Sequence, residues 1–264
     1  MGIHRNKWLA AFRASDSLLW SCPACGVSPL RLVADTLKTG ETRDSKAAQD
    51  HPGSEPEQID GRFACLMDCG HCGNVVGAAG TYAYHDDRHW DEVEGATGDY
   101  EKYYSVKYFT ESPHLLEIPE ATPDAVTGEL LASFQLYWSD PLACTNRIRS
   151  SVEKLLTAER VQQTPGRILP KGRRKFLSLH DRIERYAKKR PDIAKKLMAL
   201  KWIGNAGSHS KGAIVDDALD GYVLMDWVLD ALYAKRHKEA SALTSVINRR
   251  KAPRSPRRTP RKSP

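Results

Sequence analysis

Apolar residues recur along this chain at two spacings, and the change falls near Thr122. Before that point, short apolar pieces run between turn signals. "GRFACLMDCGHCGNVVGAAG" reads as a strand, a cysteine turn and a second strand. "TYAYH" and "YYSVKYF" are rich in the aromatic residues that favour strands and predict an extension of a small sheet. "LLWSCPACG" predicts a short strand entering another cysteine turn. Trp8, Leu9 and Phe12 lie at helical spacing, which predicts a short amphipathic helix over 3–13. Residues 38–60, "KTGETRDSKAAQDHPGSEPEQID", show no periodicity and are rich in Gly, Pro, Ser and charge, so a flexible loop is expected there.

After Thr122 the apolar positions follow a 3.6-residue period. "TPDAVTGELLASFQLYW" opens with a Thr at the cap position, a Pro at the first helical position and an early acidic residue. "SDPLACTNRIRSSVEKLLTAERV" repeats the signal, with Ile148, Val152, Leu155 and Leu156 on one face. Further helices are predicted over 175–190, over 190–204 from Pro191, and as one long helix over 216–247. The fold class is therefore α+β. Residues 1–118 form a zinc-ribbon-like small β-unit with the flexible loop 38–60, residues 119–248 an α-helical bundle of about five helices, and residues 249–264 a disordered basic tail.

Charge adds a second division. The net charge of +7 resolves into −10 over residues 1–159, +11 over 160–201, −2 over 202–248 and +8 over the last 16 residues. A basic belt and a basic tail on an otherwise acidic chain point to a polyanionic partner. The residues expected to meet phosphates are Arg173, Arg174, Lys175, Arg185, Lys188 and Lys189 of the belt, and Arg249, Arg250, Arg257 and Arg258 of the tail. No apolar run is long enough for a transmembrane helix, and the N-terminus has no apolar leader core. A cytoplasmic protein without a membrane partner is expected.

The cysteines carry the most specific chemistry. "CPAC" and "CGHC" are two C-x2-C knuckles, each followed by glycine. Together they supply Cys22, Cys25, Cys69 and Cys72 as four thiolates for a tetrahedral Zn2+. Four cysteine ligands leave no open position, so the ion would be structural. The alternatives are a redox pair or disulfides, which a cytosolic setting disfavours. Cys65 is the rival ligand to Cys69, Cys144 is expected in the core, and His71 is expected to face solvent. His85 and His89 have metal-like spacing but read as part of a polar loop.

A polar stripe comes next. Lys201, Asn205 and His209 fall at i, i+4 and i+8 of a continuous helix and share one face, drifting only about 80° around it. Gly204 and Gly207 beside them would admit another backbone or a phosphate. The alternative is a helix end, with Gly204 and Asn205 as the C-cap. Arg149 and Glu153, also i and i+4, read as a structural intrahelical pair.

"CPACG", the pair "YF" and "IPE" ahead of the helices, "NRIRSSVEKLL" and "KWIGNAGSH" together resemble the bacterial domain-of-unknown-function family 4145. The resemblance implies a zinc ribbon followed by a HEPN-like bundle, in a setting of anti-phage or restriction defence. The wider HEPN group includes metal-independent ribonucleases with an Arg-x4-6-His signature on one helix. Here Lys201 stands at the arginine position, and no arginine lies four to six residues before His209. Arg174 and His180 have that spacing but begin a different helix.

The expectation is thus a non-catalytic module binding nucleic acid, DNA or RNA, or a protein partner. The alternatives are an endoribonuclease, which would work as a homodimer with His209 as general base and Lys201 and Asn205 on the phosphate, or an adaptor of a larger effector.

Overall fold

A computed structural model describes residues 5–9, 11–91, 95–97, 99–164, 176–206 and 215–251. The first part is a curled antiparallel sheet. Strand β1 (Leu30–Leu32) and strand β2 (Lys38–Glu41) lie end to end along one edge of β3 (Asp60–Cys69). Leu30 opposes Cys69, and Lys38 opposes Ala64. β3 pairs in turn with β4 (Val75–Asp86), and β4 with β7 (Tyr100–Phe109), with a register shift at Ala79 and Gly80. A small hairpin, β5 (His89–Asp91) and β6 (Gly95–Thr97), sits between β4 and β7 in the chain.

Strict alternation explains how the sheet packs. In β3 the odd positions Phe63, Cys65, Met67 and Cys69 are buried and the even ones are not, because side chains point to opposite faces. The buried face meets an aromatic cluster. Phe12 packs edge-on against Trp20 and Phe63, and Trp20 meets Phe109.

Residues 38–60 depart from the loop expectation. They hold β2, helix α2 (Arg43–Gln49) and a 3-10 turn at Pro56–Gln58. The order is made by short-range polar bonds. Thr42 accepts from the Ser45 amide at the start of α2, and the buried Ser45 hydroxyl donates to Glu41 and accepts from the Asp60 amide. Such bonds leave no hydrophobic period to read.

The helical part is a bundle around one central element, α4 (Pro141–Ala158). Asp140 caps α4 by accepting from the Ala143 amide, and Pro141 fills its first turn. Cys144, Ile148, Val152, Leu155 and Leu156 are fully buried. They meet α3 (Asp124–Tyr137), α5 (Leu179–Ala187), α6 (Pro191–Ala206) and α7 (Val215–Tyr233). Ser178 and Asp181 close α5 with a reciprocal capping box.

Four boundaries are corrected. The first helix, α1, spans only Arg5–Leu9, since Phe12 joins the sheet by bridging to Tyr104. Pro123, not Thr122, is the cap residue of α3, and the buried Thr122 hydroxyl has no hydrogen-bond partner among the described residues. The helix expected over 175–190 is α5, Leu179–Ala187. The long last helix divides at Ala234, whose backbone is extended, into α7 and α8 (Lys235–Arg250). That break follows Tyr233, whose hydroxyl donates to Glu159, and no Gly or Pro marks it. Arg249 and Arg250 therefore end a helix instead of starting the tail.

The two parts share one core. Trp138, just past α3, packs against Trp8, Trp20 and Phe109. Arg5 of α1 pairs with Asp216 and Asp220 of α7, and Tyr137 donates to the Trp8 carbonyl. Among the described residues no helix is long and apolar enough to cross a membrane.

Candidate metal centre and basic surface

The four predicted cysteines come together at one end of the sheet. Cys22 and Cys25 sit in the turn that enters β1, and Cys69 and Cys72 in the turn that joins β3 to β4. The two turns repeat the same local plan. In each, the glycine after the knuckle takes a left-handed conformation, φ +67° at Gly26 and +74° at Gly73, which a Cβ would strain. In each, that glycine's N–H donates to the carbonyl of the first cysteine, at 2.8 Å to Cys22 and 2.9 Å to Cys69. The β1–β3 pairing brings the turns face to face.

All four sulfurs lie within 4.8 Å of one another. Cys22 is 3.8 Å from Cys72, and Cys25 is 3.6 Å from Cys69. A tetrahedral ion bonded to four sulfurs at the zinc–thiolate length sets its S···S edges at ~3.8 Å, so the group fits one.

Electrostatics agree with the geometry. The backbone amides of Cys72 and His71 donate toward the Cys69 sulfur and lower its pKa to about 6. At Cys72 the Asn74 amide pulls the same way, but burial and the neighbouring thiols outweigh it and push that group up to about 12. Four thiolates in this space need a cation between them. Cys65, the rival ligand, is buried in β3, and burial pushes it up to about 11. Cys144 is a core thiol 3.1 Å from the Tyr222 hydroxyl, and His71 is exposed as expected. His85 is exposed and stacks edge-on against Tyr103, and the His89 side chain lies outside the described residues.

The polar stripe is divided. Lys201 and Asn205 lie on α6, while His209 and Gly207 fall outside the described residues. Gly204 has a definite neighbour: a Cβ there would stand 2.4 Å from Cβ of Arg149 and 3.0 Å from the Thr145 carbonyl. The glycine admits the backbone of α4, which is one of the two partners its position suggested. Arg149 and Glu153 form an ion pair at 3.1 Å. The Arg149 stem thus serves packing while its head group pairs on the same helix.

In the basic belt, Lys188 and Lys189 are exposed. Arg185 donates to Gln162, and His180 pairs with Glu184. Arg249 and Arg250 are exposed at the end of α8. Arg173, Arg174, Lys175, Arg257 and Arg258 lie outside the described residues.

The comparisons with known proteins follow the same division. Residues 10–109, which end with β7, match the model of the family described as "Domain of unknown function (DUF8608)". Neither the curated proteins nor the solved structures include a match to the chain. Residues 132–250, from α3 to the last residue of α8, match the model of the family described as "Domain of unknown function (DUF4145)".

Proposed function

We propose that this chain is a non-catalytic nucleic-acid-binding module whose sheet is fastened by a structural zinc ion. The donor set supports zinc: four thiolates at tetrahedral spacing suit a soft or borderline ion and leave no open coordination position for chemistry. One observation carries the nucleic-acid reading. Lys188, Lys189, Arg249 and Arg250 are exposed, and among the described residues none of them pairs with a carboxylate. Unpaired cations on a chain with 33 acidic residues are free to meet phosphates.

Anisotropy titration of labelled DNA and RNA with the full chain tests this. Binding should weaken steeply as salt rises, by about 0.7 to 0.9 in the log–log slope for each phosphate neutralised. Deleting residues 249–264 should weaken binding to a similar degree for every sequence. Absence of binding at low salt retires the reading.

Lys201 and Asn205 sharing one side of α6 keeps a second reading, metal-independent RNA cleavage with His209 as base. Incubating RNA with the protein in EDTA separates the two. Cleavage lost in His209→Ala supports the enzyme, and intact RNA retires it.

A further inference from the structure

The solvent side of α6 and α7 has an unusual composition. Trp202 on α6 is 57% exposed and Trp227 on α7 is 40% exposed. Tryptophan carries a large apolar surface and rarely stands this open without a partner. Each ring has a lysine ammonium over its face. Lys201 Nζ lies 3.6 Å from the Trp202 ring centre, and Lys196 Nζ reaches from α6 to 3.6 Å from that of Trp227. Lys195, exposed, precedes Trp202 by seven residues, two turns, and so shares its face at a rise of roughly 10 Å.

Among the described residues Lys195, Lys196 and Lys201 form no ion pair, although α7 is rich in aspartate. Asp216 and Asp220 are taken by Arg5. Trp202 and Lys195 share one line of α6, and Lys196 with its Trp227 partner lies about 120° further around that helix. The surface therefore offers two separate aromatic faces, and three lysines that form no ion pair among the described residues. Lys188 and Lys189, also exposed, lie one residue ahead of α6, separated from Pro191 by Arg190.

We propose that this exposed side of α6, with Trp227 beside it, is a stacking platform for single-stranded nucleic acid. The inference rests on the nucleic-acid reading above and names the class of ligand. Base faces would stack on Trp202 and Trp227 while Lys195, Lys196 and Lys201 meet the phosphates. A cation resting on an indole face is a ready arrangement for this. The base displaces the ammonium from the ring, and the flexible lysine stem lets it move to the adjoining phosphate. A duplex keeps its base faces stacked on one another, so it can use the lysines and not the rings.

The test uses the full, metal-loaded chain with a labelled single-stranded 20-mer and its duplex. The single strand should bind more tightly than the duplex. Trp202→Ala should weaken single-strand binding about 5- to 100-fold and leave duplex binding unchanged, and Trp202→Phe should restore most of the loss. Lys195→Ala should lower the salt slope by about 0.7, whereas Trp202→Ala should not change it. Trp202 is largely exposed, so its variants should melt as the parent does. Equal binding of single strand and duplex, or a Trp202→Ala protein that binds single strand as the parent does, overturns the platform while the wider reading stands. Binding of neither overturns both.

Discussion

Cys22, Cys25, Cys69 and Cys72 at the sheet end, and Lys201 and Asn205 on α6, are two cases of function read from residue spacing, and they behave differently. The cysteine spacing constrains its own geometry. A C-x2-C turn followed by a left-handed glycine places both sulfurs of the knuckle on one side, whatever surrounds it. Two such turns need only be brought together, and the pairing of Leu30 with Cys69 does that. The α6 spacing constrains only which residues share a helix face. It says nothing about which neighbour that face meets. In the folded chain Gly204 meets Arg149 and Thr145 of α4, so this part of the segment packs a helix. Donor chemistry specifies its partner, whereas a glycine specifies only that something comes close.

The largest effect should come from removing the zinc proposed at the cysteine end. Structural zinc contributes on the order of 10 kcal/mol in small domains. Cys69→Ser, or a strong chelator, should release one ion per chain and destabilise the sheet far more than the helices. Mass spectrometry of the intact protein and near-ultraviolet circular dichroism would read the two losses. Acid should act in the same direction. Protons compete for the thiolates, so metal is held at neutral pH and released as the solution is made acidic. A chain that keeps its near-ultraviolet signal after complete metal loss would show that the aromatic cluster alone orders the sheet.

The next effect lies in the helices and compares two glycines. Gly204→Ala would press a methyl group against Arg149, and overpacking of this kind costs ~1–3 kcal/mol. Gly128, in the middle of α3, has nothing within 4 Å of where its Cβ would be. Gly128→Ala should stabilise by up to ~1 kcal/mol through helix propensity alone. Denaturant melts of the two variants should therefore shift in opposite directions. Equal shifts would mean that α4 and α6 adjust to the added methyl, and that Gly204 is not required by their approach.

Much of this was legible in the chain, and the parts that were not share a cause. The change near Thr122, the caps at Asp140 and Pro141 and the face of α4 all follow from apolar period and helix-start chemistry. The cysteine cluster follows from its knuckles. Residues 38–60 were opaque because their order comes from Thr42, Ser45 and Glu41, a set of side-chain bonds that closes only once β2 lies beside β3. The break at Ala234 was opaque because no breaker residue occupies it, and Tyr233 is held by Glu159 from another element. The neighbour of Gly204 belongs to the same class. Contacts set by tertiary placement leave no local signal.

The smallest effect belongs to the other end of the sheet. β4 leaves the cysteine end at Val75 and finishes at Asp86, where Arg88 takes the carboxylate in two bonds of 2.8 and 2.7 Å and lies over the Tyr100 ring. The Arg88 side-chain bonds, then its backbone amide, hold Asp86 down at about 2, below the ordinary carboxylate value. The sign follows from linkage. The folded chain binds this proton less readily than the unfolded chain, so the clasp adds stability above about pH 4 and loses it as pH falls toward 2. Both side chains are exposed, so the gain is screened and small. Arg88→Ala should return Asp86 toward its ordinary value in a carbon-detected titration, and the stability difference from the parent should vanish at low pH. An Asp86 that still titrates near 2 without Arg88 would assign the shift to the backbone, and both ends of β4 would then owe their charge to main-chain amides, as Cys69 does to those of His71 and Cys72.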